Sequence, residues 1–186
     1  MVILPNLLSL ARLGCVPVVI WCVLEGAYGL AFWVFLGAGI SDALDGLIAK
    51  RFDAATEFGA YLDALADKAL LVGTYVALAL RGEVPLWLTI MVVFRDLLIV
   101  GGALTVNALT PLLRVEPMML SKVNTALQIG LVAVVIGKRA FELPVPAVVE
   151  AGVWLVAATT VLSGVAYVVT WMRRVAAWER DRGDGD

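Results

Sequence analysis

The sequence predicts an all-helical integral membrane protein, a bundle of six transmembrane helices, and three observations predict it. Of the 186 residues, 62% are apolar, where a soluble domain carries about 45–50%. Only 16% are Asp, Glu, Lys or Arg, against about 25% in a soluble domain. The apolar residues also fall into long runs broken by turn residues, each near the ~20 residues that cross a bilayer. Such a composition excludes a disordered chain. It also excludes a nucleic-acid binder with a basic face, while the net charge of −2 says little about partners. The chain has no histidine, so imidazole bases, His metal ligands and Ser-His triads are excluded too.

The first run spans about Leu7 to Leu24 and closes at Glu25-Gly26. Before it, Val2 to Leu10 holds Pro5-Asn6 and reads as a short interfacial lead-in. The second runs from about Tyr28 to Ala49 and closes at Lys50-Arg51. The third covers Glu57 to Leu80, stopped by Arg81-Gly82-Glu83 and Pro85. The fourth covers Leu86 to Ala108, before Pro111, and the fifth Met118 to Ile136, before Gly137-Lys138-Arg139. The sixth covers Ala147 to Met172, followed by Arg173-Arg174. Residues 1–175 read as one catalytic transmembrane domain, and the charged, glycine-bearing stretch 176–186 as a frayed cytoplasmic tail. Cys15 and Cys22 share the first run. Seven helical residues separate them by ~10 Å, beyond the ~7 Å reach of a disulfide, so both are expected to be free and buried.

Six spans put both termini on one side, together with the Lys50–Glu57 and Thr110–Pro117 connections. That side carries most of the Lys and Arg, while the other has only Arg81, Lys138 and Arg139. An excess of cations marks the cytoplasmic side.

Carboxylates are costly inside a membrane, yet here they gather. Asp42 and Asp45 lie near the end of the second run, Asp63 and Asp67 near the start of the third. The short connection brings all of them to one membrane face. At about 100° per residue, Asp42, Asp45, Gly46 and Ala49 share one helical stripe, and Gly59, Asp63 and Asp67 another. A glycine inside a helix costs ~1 kcal/mol relative to alanine, offset where a ligand must approach the backbone. Facing carboxylates cannot all stay ionised in low dielectric without counter-charge. Protonation relieves that, and so do divalent cations. A third reading pairs the acids with Lys50, Arg51 and Lys68 in a solvated salt-bridge cluster. Ligands that are oxygen alone suit Mg²⁺ or Mn²⁺, and two such ions can clamp a phosphate.

The run Asp42-x2-Asp45-Gly46-x2-Ala49-Lys50-x8-Gly59-x3-Asp63-x3-Asp67 resembles the signature of the CDP-alcohol phosphotransferase family. It departs at Lys50, where the family usually carries Arg. Lysine keeps the charge but loses the bidentate fork, and Arg51 lies adjacent. Leu4-Pro5-Asn6-Leu7 with Arg12, Arg95-Asp96, and Ser121-Lys122-Val123-Asn124-Thr125-Ala126 are similar to the family's phosphatidyl-transferring branch. The last two patterns are most like its cardiolipin synthases, with the phosphatidylglycerophosphate synthases next.

The resemblance implies a homodimeric enzyme with the family's six-helix bundle. It places the protein in a bacterial cytoplasmic membrane, with its active site facing the cytoplasm. A phosphatidyl group passes from CDP-diacylglycerol to an alcohol, and CMP leaves. By the same carry-over, Asp42, Asp45, Asp63 and Asp67 bind two divalent cations, Mg²⁺ or Mn²⁺. Asp63 and Asp67 are the catalytic pair, with Asp67 the general base. Asp42, Gly46, Ala49, Lys50 and Gly59 line the site for the cytidine diphosphate.

Arg95 lies deep in its run, where an arginine must pair or line a wet cavity. It reads either as a structural partner of Asp96 or as a contact to an acceptor phosphate. Arg12, Ser121, Lys122 and Arg114 are the other candidate acceptor contacts, Arg114 reading equally as a topology charge. Phosphatidylglycerol is the favoured acceptor and glycerol 3-phosphate the alternative. Both carry a phosphate, so a basic pocket does not choose between them, whereas an opening between helices wide enough for a lipid does. Two rival classes use intramembrane acids differently. An aspartyl protease needs a pair of acids and no metal. A cation-coupled transporter would use the same acids, but its halves are expected to repeat, and no inverted repeat is evident.

Overall fold

The computed structural model describes residues 3–52, 57–109 and 119–183, with side chains described over 7–41, at 59, over 62–102 and over 119–173. Six helices form, and no strand, among the described residues: α1 (Ile3–Leu24), α2 (Tyr28–Phe52), α3 (Glu57–Leu80), α4 (Leu86–Leu109), α5 (Met119–Ala140) and α6 (Pro146–Gly183).

The helix ends follow local chemistry. α1 and α3 both stop at a glycine in the left-handed region, Gly26 at φ 78° and Gly82 at φ 71°. Ala27 N–H then donates to Cys22 C=O at 2.8 Å and Glu83 N–H to Leu78 C=O at 2.9 Å, the paired-bond cap that glycine permits without steric cost. The lead-in and the first run form one helix, α1 from Ile3, because Pro5 falls in the first turn, where a missing N–H costs nothing. α6 continues to Gly183, since Ala176, Ala177, Glu179 and Arg180 are strong helix formers.

The helices close into a ring. α1 packs on α2, α2 on α5, α5 on α6, α6 on α4, α4 on α3 and α3 on α1, while α3 also touches α5 across the middle. Among the described residues α4 and α5 make no backbone contact. The apolar core sits toward the turns at Gly26, Gly82 and Glu142. It joins Val19 and Val23 of α1, Phe35 of α2, Tyr75 and Leu78 of α3, Leu88 of α4, Ile136 of α5 and Val153 of α6. Outward the bundle is also apolar: Trp21, Trp33, Phe94, Leu97 and Trp154 are all exposed. A soluble protein does not leave so many large apolar side chains in water. Among the described residues Leu7–Leu24, Met119–Ala140 and Pro146–Arg173 are long and apolar enough to cross a membrane. Cys22 is buried and Cys15 half-buried, and both are free.

Candidate active site

The site lies in the other half of the bundle, where α1, α3, α4, α5 and α6 present polar side chains inward. Ser9 and Arg12 stand one turn apart on α1, and Asp63 and Asp67 one turn apart on α3. Residues at these spacings share a helix face, and α1 packs on α3. Arg12 Nη1 donates to Asp63 Oδ1 and to Asp67 Oδ1, each at 2.7 Å. Ser9 Oγ donates to the same Asp63 oxygen at 3.0 Å. The arginine is 2% exposed, whereas the two carboxylate side chains are 40% and 41% exposed. The cation therefore forms the floor and the carboxylates the open surface. That arrangement orients the acids without sealing them.

These acids fit a hard divalent cation: they are carboxylate oxygens one helical turn apart and open on one side. Asp42 and Asp45 lie one turn apart near the end of α2, followed by Gly46, Ala49 and Lys50 on the same helix. Their side chains lie outside the described residues. Gly59 sits in the first turn of α3 and is half-buried.

A second constellation centres on Arg95 of α4, only 4% exposed. Its Nη1 donates to Asp96 Oδ1 at 2.7 Å. Its Nη2 donates to Ser121 Oγ of α5 and Ser163 Oγ of α6, each at 2.6 Å. The other Asp96 oxygen, Oδ2, accepts from Lys68 Nζ of α3 at 2.5 Å. A buried charge survives in a membrane when it is paired and hydrogen-bonded, and four helices supply those bonds here. Between α4 and α5 opens a cavity of about 450 Å³, lined by Lys68, Arg95, Asp96, Ser121, Lys122 and Thr125 together with Ile99, Val100, Ala126 and Ile129. Val100 and Ile129 on its wall are exposed, so the cavity has an apolar rim at the bundle surface. Deeper in the same half, Thr159 and Thr160 of α6 both donate to Asn124 Oδ1 of α5, at 2.8 and 3.1 Å.

Of the expected acceptor residues, Arg95, Ser121 and Lys122 thus share one cavity. Arg12 is not on its wall, standing instead against Asp63 and Asp67. Arg114 lies outside the described residues. Three contributors escaped the sequence reading: Ser9, Ser163 and, as a cavity wall, Lys68. The signal for Ser163 was present as a hydroxyl in an apolar run, which in a membrane helix usually answers a polar partner. From sequence, Lys68 reads as a counter-ion of the acid cluster. Its direction toward α4 depends on how α3 is rotated, which spacing does not reveal.

The family model for CDP-alcohol phosphatidyltransferase matches residues 2–172. A cardiolipin synthase (CMP-forming) of Rattus norvegicus is 34% identical over 155 residues, covering 75% of this chain and 51% of the relative. A chloroplastic CDP-diacylglycerol–glycerol-3-phosphate 3-phosphatidyltransferase of Oryza sativa subsp. japonica is 35% identical over 186 residues, covering 90% and 56%. A probable phosphatidylglycerophosphate synthase of Mycobacterium tuberculosis is 35% identical over 182 residues, covering 92% and 83%. The chain spans about half the length of the rat and rice relatives.

Proposed function

The chain belongs to the CDP-alcohol phosphatidyltransferase family, and from that premise we propose that it transfers a phosphatidyl group from CDP-diacylglycerol to phosphatidylglycerol, releasing CMP and forming cardiolipin. The observation that carries the choice of acceptor is the cavity between α4 and α5. Its basic interior suits a phosphate, and its exposed apolar rim, Val100 and Ile129, suits the chains of a lipid.

Each residue then has a task. Arg12 and Ser9 hold Asp63 and Asp67 in one orientation. Asp67 takes the proton from the acceptor hydroxyl, the role of a positioned general base. The freed oxygen attacks the phosphatidyl phosphorus, an O–P bond forms, and the bond to CMP breaks with its electron pair leaving on CMP. Asp42 and Asp45 complete the carboxylate set from α2, and Gly46, Ala49, Lys50 and Gly59 line the nucleotide side. Asp42, Asp45, Asp63 and Asp67 would hold divalent cations, which would supply neutralisation of the donor diphosphate and of the charge developing on CMP. Arg95, Ser121 and Lys122 receive the acceptor phosphate, Arg95 being aimed by Asp96 and Ser163. The full reading has six spans, both termini and the site on the cytoplasmic face of a bacterial membrane, and a homodimer.

A second reading takes glycerol 3-phosphate as acceptor. It is favoured by the surplus of cations on the cavity wall, Lys68, Arg95 and Lys122 against Asp96 alone, since a phosphate monoester carries more charge than a diester. Purified protein is supplied with CDP-diacylglycerol and either acceptor, and the lipid products are weighed by mass spectrometry. Cardiolipin from phosphatidylglycerol is the expected product. Its absence, with phosphatidylglycerophosphate formed instead, transfers the assignment to the second reading.

A further inference from the structure

Lys68 follows Asp67 directly on α3, so the two side chains leave the helix about 100° apart. Asp67 turns toward α1, where Arg12 meets it at 2.7 Å. Lys68 turns toward α4, with Nζ 2.5 Å from Asp96 Oδ2. Asp96 is buried and gripped through its other oxygen by Arg95, so the lysine is fixed at its far end by an anion that is itself fixed. Even so, the Lys68 side chain is 37% exposed and lies on the wall shared by Arg95, Ser121 and Lys122. An ammonium carries three donors, of which Asp96 takes one.

From this geometry we infer that Lys68 is a specificity residue for the acceptor: it contacts the acceptor phosphate from α3 and, with Asp67, sets the distance between that phosphate and the hydroxyl that reacts. The inference rests on the proposed reaction having a phosphate-bearing acceptor, but not on which one. Both tips are tethered, Asp67 by Arg12 and Lys68 by Asp96, on neighbouring residues of one packed helix, so the point that grips phosphate and the point that takes the proton keep a set separation. Phosphatidylglycerol and glycerol 3-phosphate share the feature that such a ruler reads. In each, the phosphate ester and the reacting primary hydroxyl sit at opposite ends of a three-carbon chain. The class selected is therefore a phosphate ester of a 1,3-related diol, whether lipid or free.

The test is a length series on the unmodified protein. Monophosphates of ethane-1,2-diol, propane-1,3-diol and butane-1,4-diol, and the corresponding phosphatidyl diols, are supplied with CDP-diacylglycerol, and CMP release is followed. Which class reacts, monoester or phosphatidyl diester, tests the acceptor reading. Within the class that reacts, the ruler predicts a maximum kcat/KM at three carbons, and equal rates at two and three carbons overturn it. Lys68→Gln is expected to raise the acceptor KM about tenfold or more, the worth of a charge-assisted hydrogen bond. It should leave the CDP-diacylglycerol KM unchanged and flatten the length preference, and Lys68→Arg should recover most of the affinity. An unchanged acceptor KM, or equal rises for both substrates, contradicts the assignment. Transfer to neither class overturns the reaction and the ruler together.

Discussion

One half of the bundle is packed with hydrocarbon and the other is laced with charge. Toward the turns at Gly26, Gly82 and Glu142, side chains such as Val23, Leu78, Leu88 and Ile136 are wholly buried against one another. Toward the start of α3 and α5, the buried side chains include Ser9, Arg12, Arg95, Asp96, Asn124 and Ser163. In a bilayer the apolar half gains little from leaving water, because lipid is as apolar as leucine, so close packing must hold it. The polar half gains from ion pairs and hydrogen bonds whose unpaired alternative is costly. The two halves divide the labour: tight packing fixes the helix axes, and that rigidity keeps a charged, partly open cluster in register.

Breaking the charged half should cost chemistry, and breaking the packed half should cost stability. The largest effect is expected for Asp67→Asn. Removing a general base lowers turnover about 10²–10⁴-fold, while CDP-diacylglycerol binding, read by calorimetry on purified protein, should persist. Near-normal turnover removes Asp67 as the base. Arg12→Met comes next. The carboxylates of Asp63 and Asp67 lose the floor that orients them, and misplacement of a catalytic group by about 1 Å costs near 10²-fold. The same variant retaining full turnover would make Arg12 a topology charge and nothing more.

Ile136→Ala sharpens the contrast from the other side. Its side chain is wholly buried, and large-to-small changes in a packed core cost about 2–5 kcal/mol. The melting temperature in detergent should fall while the acceptor KM stays put. A raised acceptor KM at unchanged stability would dissolve the distinction between the halves. The smallest expected effect is Ser163→Ala. Arg95 keeps its bonds to Asp96 and Ser121 and loses one hydroxyl, so the acceptor KM should rise about threefold to tenfold. No change there would mean that α6 does not help to aim the guanidinium.

Much of this was readable from residue order. The third helix, Glu57–Leu80, emerges with its expected ends, because a glycine stop and a proline follow it. Arg95, Ser121 and Lys122 stand out in the sequence as polar residues that an apolar helix must accommodate, and they line one cavity. What stayed hidden depends on rotation about helix axes. Arg12 was grouped with the acceptor residues, yet α1 lies on α3 with that arginine facing Asp63 and Asp67. Nothing in the spacing within either helix states which faces meet across α1 and α3. The reach of α6 to Gly183 was missed for a different reason. Charge and glycine suggest fraying in that stretch, but alanine, glutamate and arginine favour the helix on their own.

The proposed reaction needs carboxylates of α2 and α3 that act on a liponucleotide through divalent cations. Its most direct measurement is CMP release by purified protein given CDP-diacylglycerol and phosphatidylglycerol, first after chelation and then with Mg²⁺ or Mn²⁺ restored. Release that stops on chelation and returns with either ion, together with cardiolipin, is the predicted result. CMP release that continues undiminished in excess chelator would contradict it.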